Sequence, residues 1–158
     1  MEEITFYRQD LLAALDGVKI ELSRAVMAMP SNAWHIAFAP EARTPHKTLA
    51  HLRDLEKQEY IPNLKRILAE GNPVLPVFDD ETWTLGHYRP DEAGKEILEE
   101  FTRLMEQEVA WLSDLPTASW SRTARHPWWG VHTFQWWVEL QLDQSRQHVE
   151  RLSSFPAM

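Results

Sequence analysis

Apolar residues return at steps of three and four along four long stretches of this chain, and nowhere does a sustained run alternate apolar with polar between hairpin signals. That period calls for helices packed on helices, with no sheet needed to bury their faces. The first stretch runs from Glu3 to about Met29 on Ile4, Phe6, Tyr7, Leu11, Ala14, Leu15, Val18, Leu22, Val26 and Met29, and Pro30-Ser31 stops it. The second opens with Thr44 as cap and Pro45 in the first turn, and runs through Leu49, Leu52, Leu55, Leu64 and Ile67 to Gly71. Within it Pro62 removes a donor and crowds the carbonyl of Gln58, which predicts a bend near Tyr60. The third begins at Pro90 or Asp91 and carries Ile97, Leu98, Phe101, Leu104, Met105 and Leu112 to Leu115, before Pro116. A fourth extends from about His132 to Phe155.

Two long connections join these helices. Asn72 to Arg89 is rich in Pro, Gly and Asp, with room for a helical turn at Asp80 to Thr84, and Thr117 to Gly130 has no sustained period. No repeat or composition shift divides the chain, so residues 1–158 read as one all-α domain, a four-helix bundle in which a connection crosses the bundle or covers its end. A domain of this length buries roughly 70% of its unfolded surface and needs no staple, so any metal is functional rather than structural. With no cysteine there is no disulfide, thiolate zinc cluster or cysteine nucleophile. A net charge of -8 opposes nucleic acid and anionic membranes as partners. Met1 to Phe6 lacks the order of a signal peptide and no apolar run reaches spanning length, which points to a soluble cytoplasmic protein.

Several polar residues fall on apolar faces. On the fourth helix Gln141, Ser145 and His148 share the arc of Phe134, Val138, Leu142, Val149 and Leu152, with Gln144 on its flank. On the third, Glu108 lies within the arc of Phe101, Leu104, Met105 and Leu112. Unpartnered, each buried amide or imidazole costs roughly 1–3 kcal/mol, and a buried carboxylate must pair with a cation, take up a proton or open onto water. One reading gathers His51, Gln144 and His148 around a divalent cation, Zn or Ni, with Glu108 as the proton-handling catalytic candidate. The other makes Gln141, Gln144, Ser145 and His148 a satisfied hydrogen-bond cluster that fixes helix packing. Spacing leaves both open.

The segments Thr48 to Glu56, His126 to Phe134 and His148 to Leu152 together resemble the DinB-like (YfiT-like) metalloenzymes. That resemblance implies an up-up-down-down four-helix bundle, often a homodimer, with metal ligands at His51, position 144 and His148. Here position 144 is glutamine instead of the usual histidine, and position 145 is serine where aspartate is common. The related mycothiol-dependent maleylpyruvate isomerases carry glutamate at that middle position, so the resemblance implies thiol-dependent transferase or isomerase chemistry on an electrophilic small molecule. The alternative is a metal-free binding or dimeric scaffold protein.

Trp128 and Trp129 are expected to pack against the bundle end, or else to form a lid. Trp136 points away from the core stripe and, with Leu140, marks a candidate dimer face. His35, His46, His87, His126 and His132 read as surface or capping histidines, and Glu96, Glu99, Glu100 and Glu106 as a solvated face. No triad signature, nucleotide loop or dinucleotide fingerprint is present.

Overall fold

A computed structural model describes residues 2–154. The helices are α1 (Glu2–Ala28), α2 (Pro45–Leu55), α3 (Ile61–Ala69), α4 (Asp80–His87), α5 (Gly94–Ser113) and α6 (Phe134–Ser153). A π-helical turn, Glu56–Tyr60, joins α2 and α3 into one rod. That rod, α1, α5 and α6 form a four-helix bundle: α1 packs on α5 and α6, and α2 packs on the same two. Leu11, Leu15, Val18, Leu22 and Ala25 are buried along α1, and Met29 just past its end. Their steps of four and three keep one stripe facing the bundle. The expected end of the last helix at Phe155 lies outside the described residues.

Local chemistry sets the helix starts. The Thr44 hydroxyl caps α2 by accepting the Lys47 N–H at 3.1 Å, with Pro45 at the first helical position. Thr133 caps α6 in the same way. The bend foreseen near Tyr60 takes the form of the π-turn, in which the Ile61 N–H reaches back to the Glu56 carbonyl. The π-turn widens the rod just ahead of Pro62, which relieves the crowding of its ring against the preceding carbonyls.

Two connections differ from the sequence reading. The short turn expected at Asp80 to Thr84 continues to His87 as α4, capped by Asp79. The segment read as having no strand contains an antiparallel hairpin, β1 (Thr123–His126) and β2 (Gly130–Thr133), pairing His126 with Gly130 and Thr123 with Thr133. Gly130 closes the turn at φ +80°, a conformation costly for any residue with a Cβ. Leu75 and Pro73 hydrogen-bond to Arg125, binding the other long connection to this hairpin.

Arg53 holds α2 to α5 and to the segment before it. Its guanidinium reaches both oxygens of Glu92 at 2.8 and 3.0 Å, Glu100 at 3.0 Å and neighbouring Asp54 at 2.9 Å. Glu100, expected on a solvated face, is therefore an ion-pair partner. His46, expected at the surface, is 3% exposed. It donates to the Glu92 carbonyl at 2.6 Å and accepts from Tyr88 at 2.8 Å, locking the end of the long connection onto α2.

Candidate functional site

His51 on α2 and His148 on α6 meet near one end of the bundle, their rings edge to face with centroids 4.9 Å apart. His51 is buried and His148 partly so. Burial, reinforced by the charges of Arg43 and Arg151, pulls their pKa values down to about 3 and about 4. Both imidazoles are therefore neutral at physiological pH and keep a nitrogen lone pair. Around them, Asp80 Oδ2 lies 3.5 Å from His51 Nε2, and Arg43 donates to that same oxygen at 3.2 Å. Arg151 donates to His148 Nδ1 at 3.3 Å.

Gln144, one turn before His148, has its amide oxygen engaged by the Tyr60 hydroxyl at 2.8 Å. It lines a small cavity of about 40 Å³ with Glu59, Tyr60, His126 and Trp129, enough for one or a few waters. Burial and then the charge of Asp80 raise the Glu59 pKa to about 7, so this carboxyl titrates in the physiological range. His126 is buried, contrary to the surface reading, and its Nδ1 accepts the N–H groups of Trp128 and Trp129 at 3.0 and 3.4 Å. The two indoles are 73% and 44% exposed, so the expected burial against the bundle end does not occur, and Trp129 forms part of the cavity wall. Trp136 is half-buried, with the His132 ring stacked on it at 3.5 Å.

Deeper in the bundle lies a second polar group. Glu56 and Glu108 are 0% and 2% exposed, and the Gln141 amide nitrogen donates to both, at 2.9 and 2.7 Å. Burial raises both carboxyl pKa values, and the charge of Glu108 pushes Glu56 further up. The pair therefore holds one proton between its members. Gln141 Oε1 and Ser145 Oγ are buried without a partner among the described residues. Glu108 is thus met by a neighbouring acid that keeps a proton and by the Gln141 N–H, rather than by a cation. Gln141, Gln144 and His148 each have a different partner, and no hydrogen bond joins them into the single cluster weighed from sequence.

A model of the DinB superfamily matches residues 8–152. The chain belongs to the DinB superfamily. Among solved structures this DinB chain is similar to YfiT from Bacillus subtilis, described as a probable metal-dependent hydrolase with an unusual four-helix bundle topology. The two share 22% identity over 92% of this chain and 85% of that one, with a TM-score of 0.79, which establishes the common fold. No curated protein matches the sequence.

The donors at the histidine pair fit a divalent cation in kind: two neutral imidazoles and the Asp80 carboxylate are the ligand types that zinc and nickel accept. Among the described residues, no three His, Asp or Glu side chains are already grouped to enclose an ion. Asp80 is instead held by Arg43, and the Gln144 oxygen by Tyr60. Sequence reasoning missed Asp80, Glu59 and Glu56. Glu56 alone left a signal, since it falls four residues after Leu52 and seven after Leu49, on the stripe those leucines define.

Proposed function

We propose that this DinB protein is a metal-dependent enzyme acting on a small molecule at the His51–His148 end of the bundle. The observation that carries the reading is the pair of neutral imidazoles, brought into contact from separate helices beside a carboxylate. His51 and His148 would hold Zn or Ni through nitrogen, with Gln144, one turn before His148, and Asp80, beside His51, as candidate oxygen donors. Zinc or nickel bound there supplies Lewis acidity, which lowers the pKa of a water or low-molecular-weight thiol toward neutrality.

The remaining steps belong to the protein's own groups. Glu59, poised near neutrality, is suited to take a proton from the nucleophile and return it to a leaving group. Glu108, with Glu56, stores a proton behind Gln141, which is the role this reading gives it. Arg43 holds Asp80 in place, and Arg151 fixes the orientation of His148. Hydrolysis, thiol transfer and isomerisation all use such a nucleophile, and YfiT's description favours the first.

Calorimetric titration of chelator-treated protein with zinc and nickel tests the reading. One saturable site is expected, weakened at least tenfold in His51→Ala and in His148→Ala. If the parent binds neither ion, or both variants bind as the parent does, the alternative of a metal-free binding or scaffold protein takes its place. The hydrogen bonds of Tyr60 to Gln144 and of Arg151 to His148 are what favour that alternative.

A further inference from the structure

A groove of about 720 Å³ opens beside the histidine pair, between the segment before α2, helix α4 and the end of α6. Its volume falls in the range of sites for small organic ligands. Arg43, Lys47 and Arg151 line it against two carboxylates, Glu41 and Glu81. In a chain of net charge -8 this is a local cationic excess. Phe38 and Leu85, 69% and 90% exposed, give the same groove an apolar wall.

The two arginines are tied to the histidines as well as to the groove. Arg43 Nη2 meets Asp80 Oδ2 at 3.2 Å, and that oxygen lies 3.5 Å from His51 Nε2. Arg151 Nη1 meets His148 Nδ1 at 3.3 Å. A guanidinium carries five N–H donors in a planar fork, and each of these arginines commits one nitrogen to the contact named. Among the described residues the rest of each fork meets no other acceptor, and two parallel N–H···O bonds to a carboxylate are its favoured geometry. Lys47 sits over the Tyr88 ring at 5.3 Å and adds charge at the groove wall. A single negative charge matches the small cationic excess, whereas a phosphate dianion would also face Glu41 and Glu81.

We propose that this groove binds a small organic carboxylate, with its carboxyl group between Arg43 and Arg151 and its apolar body against Phe38 and Leu85, next to the histidine pair. That names a substrate class for the site proposed above and rests on that reading for its catalytic meaning, while binding itself needs no metal. A hydrophobic acid lying there would bring its carboxyl end toward the histidine pair, to which Arg43 is joined through Asp80 and Arg151 directly.

The test is calorimetry with 4-phenylbutyrate, 4-phenylbutanol and phenyl phosphate on metal-free protein. The acid is expected to bind saturably, at least tenfold tighter than the alcohol and tighter than the phosphate. Arg151→Gln, at an exposed position that leaves folding intact, should weaken the acid about tenfold and leave the alcohol unchanged. Arg43→Lys should do so in part. His51→Ala and His148→Ala should lose zinc yet keep the acid, which separates failure of the metal reading from failure of this one. Equal affinity for acid and alcohol, preference for the phosphate, or an acid affinity unmoved by Arg151→Gln overturns the proposal.

Discussion

Replacing Glu56 with glutamine should stabilise this protein at neutral pH. The native pair Glu56–Glu108 keeps one proton inside the bundle, whereas an unfolded glutamate releases it near its ordinary value of 4.5. A carboxyl whose folded pKa is raised gives its full stability below the unfolded value and loses it as pH rises toward the folded one. Between those two values the loss grows by about 1.4 kcal/mol per pH unit. Glutamine is isosteric, needs no proton, and still offers an N–H to Glu108. Urea unfolding followed by tryptophan fluorescence at about pH 5 and 7.5 isolates the effect. With a slope on the order of 2 kcal/mol per molar urea, each such pH unit is worth about 0.7 M, so Glu56→Gln should raise the midpoint at the higher pH and do so by much less at the lower. A variant less stable than the parent at the higher pH, or a difference that does not depend on pH, would refute the shared proton.

At the acid end the sign reverses. His51 and His148, with folded pKa values of about 3 and about 4, lose stability as pH falls from the unfolded value of 6.5, so His51→Asn should flatten the acid limb of a pH–stability curve. Arg53→Ala leaves Glu92 with only Arg89 and Glu100 with only Lys57 and should cost about 1–3 kcal/mol by chemical denaturation, with Arg53→Lys recovering only part because it cannot grip Glu92 through two nitrogens. Gly130→Ala forces a Cβ into φ +80° and should lower stability by about 1 kcal/mol, while Trp128→Ser should change it by less than about 0.5. Self-association through the face of Trp136 and Leu140 should appear as a dimer in analytical ultracentrifugation at micromolar concentration, and a monomer for the parent chain would remove that expectation.

Periodicity sufficed for the bundle because each of its four rods buries a stripe wide enough to mark the sequence. The stripe of α1 and the caps at Thr44 and Pro45 are visible without coordinates. The hairpin was not, because only Ala124 and His126 of its eight residues are buried, and neither is a strand-like residue. His51 and His148 could be singled out by helical position. Asp80 could not, since a carboxylate in a loop-like stretch carries no period, and only the fold of α4 brings it to His51. Trp128 and Trp129 misled because tryptophan is usually buried, whereas here a tight turn closed on His126 turns them outward.

The extra residue that the π-turn winds into the second rod changes what that rod can address. Upstream, His51 faces Asp80 of α4 and His148 of α6, while downstream Tyr60 reaches the small cavity through Gln144. Between them Glu56 turns into the buried interior. Removing one residue from this turn would swing everything after it by roughly 100° at helical pitch. The three compartments would lose their common spine even if every individual helix still formed.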